Sequence, residues 1–226
     1  SGLTRLRAFS QDDGHCFCRE DQIEEEFSNV AHVIKKALSV FDMKYWVRLS
    51  LWDPNKKEKY LGSEDVWERA QNTLRSIAEK LDVEYKEAEG EAAIYGPKMD
   101  FIAVDALGRE WQISTIQLDF IQPERFGLKY IDQNGDAQMP IMIHRAILGS
   151  PERFMGLLLE HFAGALPLWL SPVQTVVVPI SQDHNHYAEE VTNMLIAAGI
   201  RVENRNQAES MQKRIRTAEK EKIPYM

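Results

Sequence analysis

The sequence predicts an α/β chain of the α+β kind: a mainly antiparallel sheet with flanking helices, followed by a shorter α/β segment. Three observations carry this prediction. The stretch 21–41 has the apolar spacing of a helix, and Ser63-Glu64-Asp65 opens a second helix that runs to about Leu81. A long hairpin pattern runs from Met99 through Leu107-Gly108-Arg109 to Phe120. Beyond Leu170 an apolar run, a helical stretch and a second strand follow one another as a strand–helix–strand unit.

Residues 4–19 read as two short strands around the polar turn Gln11-Asp12-Asp13-Gly14. In the second of them His15 and Phe17 share one face, and Cys16 and Cys18 the other. The helix over 21–41 carries Ile23, Phe27, Val30, Val33, Ile34, Ala37 and Leu38 on its apolar side. Tyr45–Leu49 reads as a strand, and Ser63 as the N-cap of the helix that ends near Leu81. Two glycines and a proline make 90–98 a loop, after which 99–104 and 111–120 form the hairpin. A strand at 128–131, a turn at 132–136 and an apolar strand at 140–144 follow. Ser150 caps a helix with Pro151 in its first turn and Phe154, Leu157, Leu158 and Phe162 on its apolar side. The continuous apolar run 173–180 predicts a strand buried on both faces. A helix over 184–198, a strand at 199–202 and a helix over 208–222 come next, and 223–226 reads as a strand beginning. The switch near Pro167–Pro172 predicts domains at 1–168 and 169–226, the second with too few strands for a complete α/β domain.

With 44% hydrophobic and 27% charged residues, the 226-residue chain has the composition of a soluble protein with a real core. No apolar run reaches the roughly 20 residues of a membrane span. The opening segment Ser1–Arg7 lacks the apolar core of a secretory signal, so a cytoplasmic protein is expected. The two cysteines stand one residue apart. They cannot build a disulfide framework or complete a four-thiolate zinc site, and they read as buried, reduced thiols. A net charge of −8 argues against a surface that coats nucleic acid, and DNA is not an expected partner. The stretch 212–222 mixes acids and bases, as a solvated helix face does.

Three polar groups stand at strand ends or on loops: Arg5 and Arg7 leading into Gln11-Asp12-Asp13-Gly14-His15; Tyr95-Gly96-Pro97-Lys98; and the run from His144 to Arg153. Singly each has an ordinary reading: Arg153 as a surface residue, His144 as a hydrogen-bonded core histidine, Tyr95-Gly96-Pro97 as a turn. Together and in this order they resemble the threonyl-tRNA synthetases, class II aminoacyl-tRNA synthetases. Residues 5–18 are similar to the second half of class II motif 2 and its following strand. Residues 94–98 and 111–120 resemble the central hairpin region, and 144–153 with Phe154 and Gly156 resembles motif 3. The likeness runs on through Trp169–Gln174 into an anticodon-binding domain.

The resemblance implies a two-step reaction, threonine and ATP giving threonyl-adenylate and then threonyl-tRNA(Thr). Magnesium accompanies the ATP. His15 and His144 match two of three protein ligands of a catalytic zinc, one per site. That zinc reads the amino and hydroxyl groups that distinguish threonine from valine, a pair that an apolar pocket separates poorly. Asp13 would accept hydrogen bonds from the amino acid, and Tyr95, Lys98 and Gln117 would frame threonine and its adenylate. Arg153 and Arg5 would act at the phosphates, Gln112 and Gln11 in substrate binding, and Arg216 at the anticodon. The full-length parent is expected to be a homodimer, and these residues alone are expected to be inactive.

The chain also departs from the family pattern. The third zinc ligand, a cysteine, the α-phosphate arginine of motif 2 and motif 1 lie before residue 1 in the family. Lys222 stands where some relatives have arginine, and Ile113-Ser114 where some have Cys-Gly. Gln112 and Gln117 are five positions apart, so both reach one face only if the strand bulges or ends between them. Another synthetase of the same subclass, or a non-catalytic tRNA-binding module of synthetase descent, remains the alternative.

Overall fold

The computed structural model describes residues 2–81 and 83–226; Ser1, which opens the segment read for a signal, and Asp82 lie outside them. The chain divides into two compact units, at Gly156/Leu157. The first contains β1 (Asp13–Cys18), α1 (Ile23–Val40), β2 (Tyr45–Leu51), α2 (Glu64–Lys80) and β3 (Tyr85–Glu89). It continues with β4 (Lys98–Val104), β5 (Glu110–Asp119), α3 (Gln122–Arg125), β6 (Tyr130–Ile131), β7 (Ala137–Gln138) and β8 (Ile141–Ala146), and α4 (Pro151–His161) begins in it. Six strands form one sheet in the order β1-β8-β5-β4-β2-β3. Neighbours are antiparallel except β2 and β3, which run parallel.

Strand alternation divides this sheet into an apolar and a polar face. Val47, Leu49, Met99, Phe101, Ile116, Leu118 and Ile143 lie on the apolar side, and all are buried. Helix α1 packs on β1, β5 and β8, and α2 on β2. They bring Phe27, Ile34 and Leu38, and Trp67, Leu74 and Ile77, into the same core. Each such side chain contributes about 1.5–3 kcal/mol on burial. The other face is left for polar groups.

Between β4 and β5 the register slips: Phe101 faces Ser114, whereas Ile102 faces Gln112. Ile113 is therefore the surplus residue of a β-bulge. Gln112 and Gln117 oppose Ile102 and Lys98, which are four apart on one face, so the bulge brings both glutamines to the polar side. The interruption that the sequence requires is present.

Several expectations change. No strand forms before Asp13. Among the described residues β1 is the sheet edge, and 5–12 has no ladder to join. Its backbone is held instead by Glu152, whose carboxylate accepts from Ser10 N at 3.0 and 3.1 Å, and by Gly149 O, which accepts from Asp12 N at 3.1 Å. Strand β3, Tyr-Lys-Glu-Ala-Glu, has no apolar alternation to betray it. It is an edge strand protected by charge, with Arg75 of α2 bound to Glu87 at 2.7 Å. The strands at 128–131 and 140–144 do not belong together. β6 pairs only with β7, in a two-residue ladder, while β8 enters the large sheet between β1 and β5. Ser63 occupies the N-cap position of α2, but its side chain makes no capping hydrogen bond. Of the two thiols, Cys18 is buried and Cys16 only half-buried beside Glu26, and both are free.

The second unit contains β9 (Thr175–Val177), α5 (Asn185–Ala197), β10 (Val202–Asn204) and α6 (Met211–Lys220). β9 and β10 are parallel, and Tyr225 bridges Thr175 on the other side. The run 173–180 is a shorter strand than its apolarity predicts, because Pro179 has no N–H to continue the ladder. Only Val176 of β9 is buried, and Ile180 is 71% exposed, so burial on both faces does not hold. The strand expected at 199–202 begins later. Gly199, at φ +79°, ends α5 in a Schellman turn with Ile200 N bonded to Leu195 O at 3.0 Å.

Candidate functional site

The polar face of the sheet is built from cross-strand rows. One row runs Ser50–Lys98–Gln117–His144–His15 across five strands, each residue directly opposite the next. The neighbouring row runs Arg48–Asp100–Thr115–Ala146–Asp13. Opposite partners lie about 4.5–5.5 Å apart at Cβ, so ten residues separated by up to 133 positions share one small surface.

At the β1 end of the first row, the His15 and His144 rings meet edge to face with centroids 4.6 Å apart. His144 Nε2 lies 2.8 Å from the carboxylate of Asp119, a residue with no exposed surface. A carboxylate accepts, so Nε2 is the donor. Tyr95 stacks on His144 at 4.8 Å and donates its hydroxyl to Gln117. Burial, then the carboxylates of Asp119 and Asp13, pushes the Tyr95 phenol up, which keeps it a neutral donor. The loop bearing Tyr95 is pinned at Gly96. A Cβ there would stand 1.8 Å from Leu118 O, so only glycine permits the approach.

At the centre lies Asp100, fully buried. Its Oδ1 accepts from Gln112 Nε2 at 3.0 Å and Thr115 Oγ1 at 2.7 Å. Its Oδ2 accepts from Ser50 Oγ at 2.7 Å and Arg48 Nη2 at 3.0 Å, and Lys98 Nζ forms an ion pair with it at 3.0 Å. Arg48 also donates to Gln112 Oε1 at 3.0 Å.

A third group joins β1 to α4. The Asp12 carboxylate accepts three successive backbone N–H groups, from Ile147 at 3.1 Å, Leu148 at 2.8 Å and Gly149 at 3.0 Å. Gly149, at φ +67°, presses on the bulge: a Cβ would lie 2.5 Å from Ile113 O. Ser114 Oγ donates to Ile147 O from the other side.

The structure brings Asp13, His15, Tyr95, Lys98, Gln112, Gln117 and His144 to one face. Arg153 lies on α4, with Nε donating to Thr4 O at 3.2 Å and its guanidinium 5.9 Å over the Trp111 ring. Arg5 and Gln11 are exposed, in the stretch that forms no strand. Arg216 is exposed on α6. Sequence reasoning missed Asp12, Arg48, Ser50, Asp100, Thr115 and Asp119. The legible signal was an aspartate within an apolar strand, Met99-Asp100-Phe101 and Leu118-Asp119-Phe120: a carboxylate there is buried, and a buried carboxylate needs partners.

The histidine pair suits a zinc ion. Two imidazoles on one tetrahedral zinc, with Zn–N about 2.0–2.1 Å, put their centroids roughly 5 Å apart, slightly more than the 4.6 Å seen. A buried carboxylate on the far nitrogen of one ring is the orienting partner that metal-bound histidines use. Among the described residues no group of three His, Cys, Asp or Glu side chains is placed to hold a metal, so a further ligand would have to join the pair. No helix among the described residues is long and apolar enough to cross a membrane.

The comparisons with known proteins fit this geometry. Residues 1–162 match the tRNA synthetase class II core domain (G, H, P, S and T), and residues 174–226 match an anticodon binding domain. The chain is 49% identical over its whole length to the threonine–tRNA ligase of Rubrobacter xylanophilus and 48% identical to that of Thermus thermophilus. It spans about a third of each, 35% and 34% of their lengths. A solved structure, the RNA binding domain of threonyl-tRNA synthetase from Cryptosporidium parvum, superposes with a TM-score of 0.92 at 39% identity. That match covers 99% of this chain and 55% of the other. The aligned rows of polar residues, the mainly antiparallel sheet that presents them and these matches lead to one assignment: the chain belongs to the class II tRNA synthetase core family of the G, H, P, S and T type.

Proposed function

We propose that this chain supplies the later part of the catalytic core, about 1–168, and the start of the anticodon-binding domain, 169–226, of a threonine–tRNA ligase. The observation that carries this reading is the pairing of His15 with His144, with Asp119, Tyr95 and Gln117 around them. The two imidazoles would hold zinc together with a further ligand from outside these residues. Zinc there supplies a Lewis-acid position for the amino and hydroxyl groups of threonine.

The rest of the work belongs to the chain's own side chains. Asp13, on β1 two residues before His15, accepts from the substrate's ammonium or hydroxyl. Gln117, fixed by the Tyr95 hydroxyl, orients the amino acid beside it. Lys98 and Arg153 bring positive charge to the phosphates, where it favours the transition state. Gln112, fixed by Asp100 and Arg48, meets the nucleotide. Arg5 assists at the triphosphate with magnesium, Gln11 in substrate binding, and Arg216 meets an anticodon base of tRNA(Thr). The same reading gives the full-length protein a cytoplasmic location and a homodimeric state, and predicts negligible adenylation by these 226 residues alone.

The test is amino-acid-dependent ATP–pyrophosphate exchange by the full-length protein, with valine and serine as controls, beside zinc analysis. Threonine should drive exchange well above valine. His144→Ala should lower zinc content and threonine-driven exchange by tenfold or more, on the order of what loss of a ligand or its support costs. Exchange driven equally by valine, or a His144→Ala protein that keeps zinc and rate, would overturn the reading.

A further inference from the structure

Asp100 holds one cation more than its hydrogen bonds account for. An ionised carboxylate offers about two lone-pair sites on each oxygen. Oδ1 has two donors, Gln112 and Thr115, and Oδ2 has two, Ser50 at 2.7 Å and Arg48 at 3.0 Å, which fills those sites. The Lys98 ammonium lies 3.0 Å from Oδ2 as an ion pair without a hydrogen bond, a second cation on an already satisfied carboxylate. If any one leaves, a buried carboxylate still keeps four partners, including the Arg48 charge, so departure strands no unpaired group.

The sheet register decides which one can leave. Ser50 is fully buried. Arg48 is tied on to Gln112 and lies 3.8 Å from Glu91. Lys98 is held by its ion pair with Asp100 and by no hydrogen bond among the described residues, and its row continues directly into Gln117 and His144. Its ammonium sits on a flexible stem with three rotatable donors, at the end of Asp100 nearest the candidate amino-acid site.

We propose that Asp100 is a positioning residue that stores Lys98 and releases it. In the free protein the carboxylate holds the Lys98 ammonium. When the acyl phosphate of an aminoacyl-adenylate arrives, Lys98 turns from Oδ2 to the ligand, and Ser50, Arg48, Gln112 and Thr115 keep Asp100 satisfied. The stored cation is masked until an anion competes for it, and no buried charge is left alone at either stage. This inference rests on the ligase reading, because it needs an adenylate beside Lys98.

The experiment is titration calorimetry of the full-length protein with 5′-O-(N-threonylsulfamoyl)adenosine, whose sulfamate carries negative charge where the adenylate has phosphate. Ser50→Ala removes a competitor, so Asp100 grips Lys98 harder and binding should weaken by roughly threefold. Asp100→Asn removes the competing anion and should tighten binding by roughly threefold, while Lys98→Met should weaken it by about tenfold. In the Lys98→Met background Ser50→Ala should have no effect, and Asp100→Asn should no longer tighten binding. A merely structural Asp100 predicts that Ser50→Ala and Asp100→Asn both weaken binding, with or without Lys98; that result overturns the proposal. Should Asp100→Asn fail to fold, the Ser50→Ala and Lys98→Met pair decides by the same criterion. Failure of the ligase reading looks different: the wild-type protein would not bind the compound, which removes both conclusions.

Discussion

At the scale of single residues, carboxylates organise this molecule. Asp12, Asp100 and Asp119 each collect several donors, and none of them touches its partners through sequence neighbours alone. Asp105 does the local version of the same work. Burial alone would raise its pKa, but the Trp111 indole, the Arg109 backbone and guanidinium, and the Leu107 amide hold it down at about 2. Because the folded value is depressed, the stabilisation is fully present above the unfolded value of 3.8 and is lost as pH falls toward 2. Asp105→Asn should therefore cost about 1–2 kcal/mol at neutral pH, and that difference should shrink between about pH 4 and 2. Urea titrations of both proteins across that range would measure it. A constant difference would show that the charge is not what Asp105 contributes.

At the scale of elements, the decisive contacts are those between the ends of strands and the starts of helices. Asp12 gathers the amides of 147–149 just before α4, while Gly149 and Ser114 lock the same turn against the bulge. Asp12→Ala leaves three N–H groups without their acceptor and should cost about 2–4 kcal/mol, given the charge-assisted bonds lost. Under the ligase reading the substitution should also lower threonine-driven exchange, since it unties β1, with Asp13 and His15, from the helix that carries Arg153. A protein with unchanged stability would refute this account of the turn. The helices were legible in the sequence because their apolar positions recur every three to four residues, from Ile23 to Leu38 and from Trp67 to Ala78. Strand β3 was not legible, since its residues are chosen to repel a further strand rather than to pack. The false strand before Asp13 had the right alternation but no partner among the described residues. Alternation reports which face a side chain takes, and says nothing of whether a ladder exists to take it.

At the scale of the whole molecule, the division into two compact units predicts separable unfolding. Trp46, Trp52, Trp67 and Trp111 lie in the first unit and Trp169 in the second, so tryptophan fluorescence reports mainly on the first. Far-UV circular dichroism follows α5 and α6 as well. The two signals should give non-coincident urea transitions, and Trp169→Phe should leave the fluorescence transition in place. Coincident curves would mean that the units unfold as one. The change of pattern was legible, because the strand–helix–strand succession after Leu170 differs in kind from the hairpins before it. The candidate site was legible only where it carries unusual residues: the two histidines, Tyr95, Lys98 and the glutamines. The groups that hold these in place are ordinary aspartates and serines, and only the register of five strands reveals them.

The surplus residue at Ile113 sets the parity of everything after it in β5. Its presence counts for more than its chemistry: swapping the isoleucine for another apolar residue changes packing, whereas excising it would turn Gln112 toward the helices and, under the ligase reading, part the residue proposed for the nucleotide from the one proposed for the amino acid. A comparison of such chains should then treat the number of residues between those two glutamines as a functional character in its own right, one that substitution counts overlook.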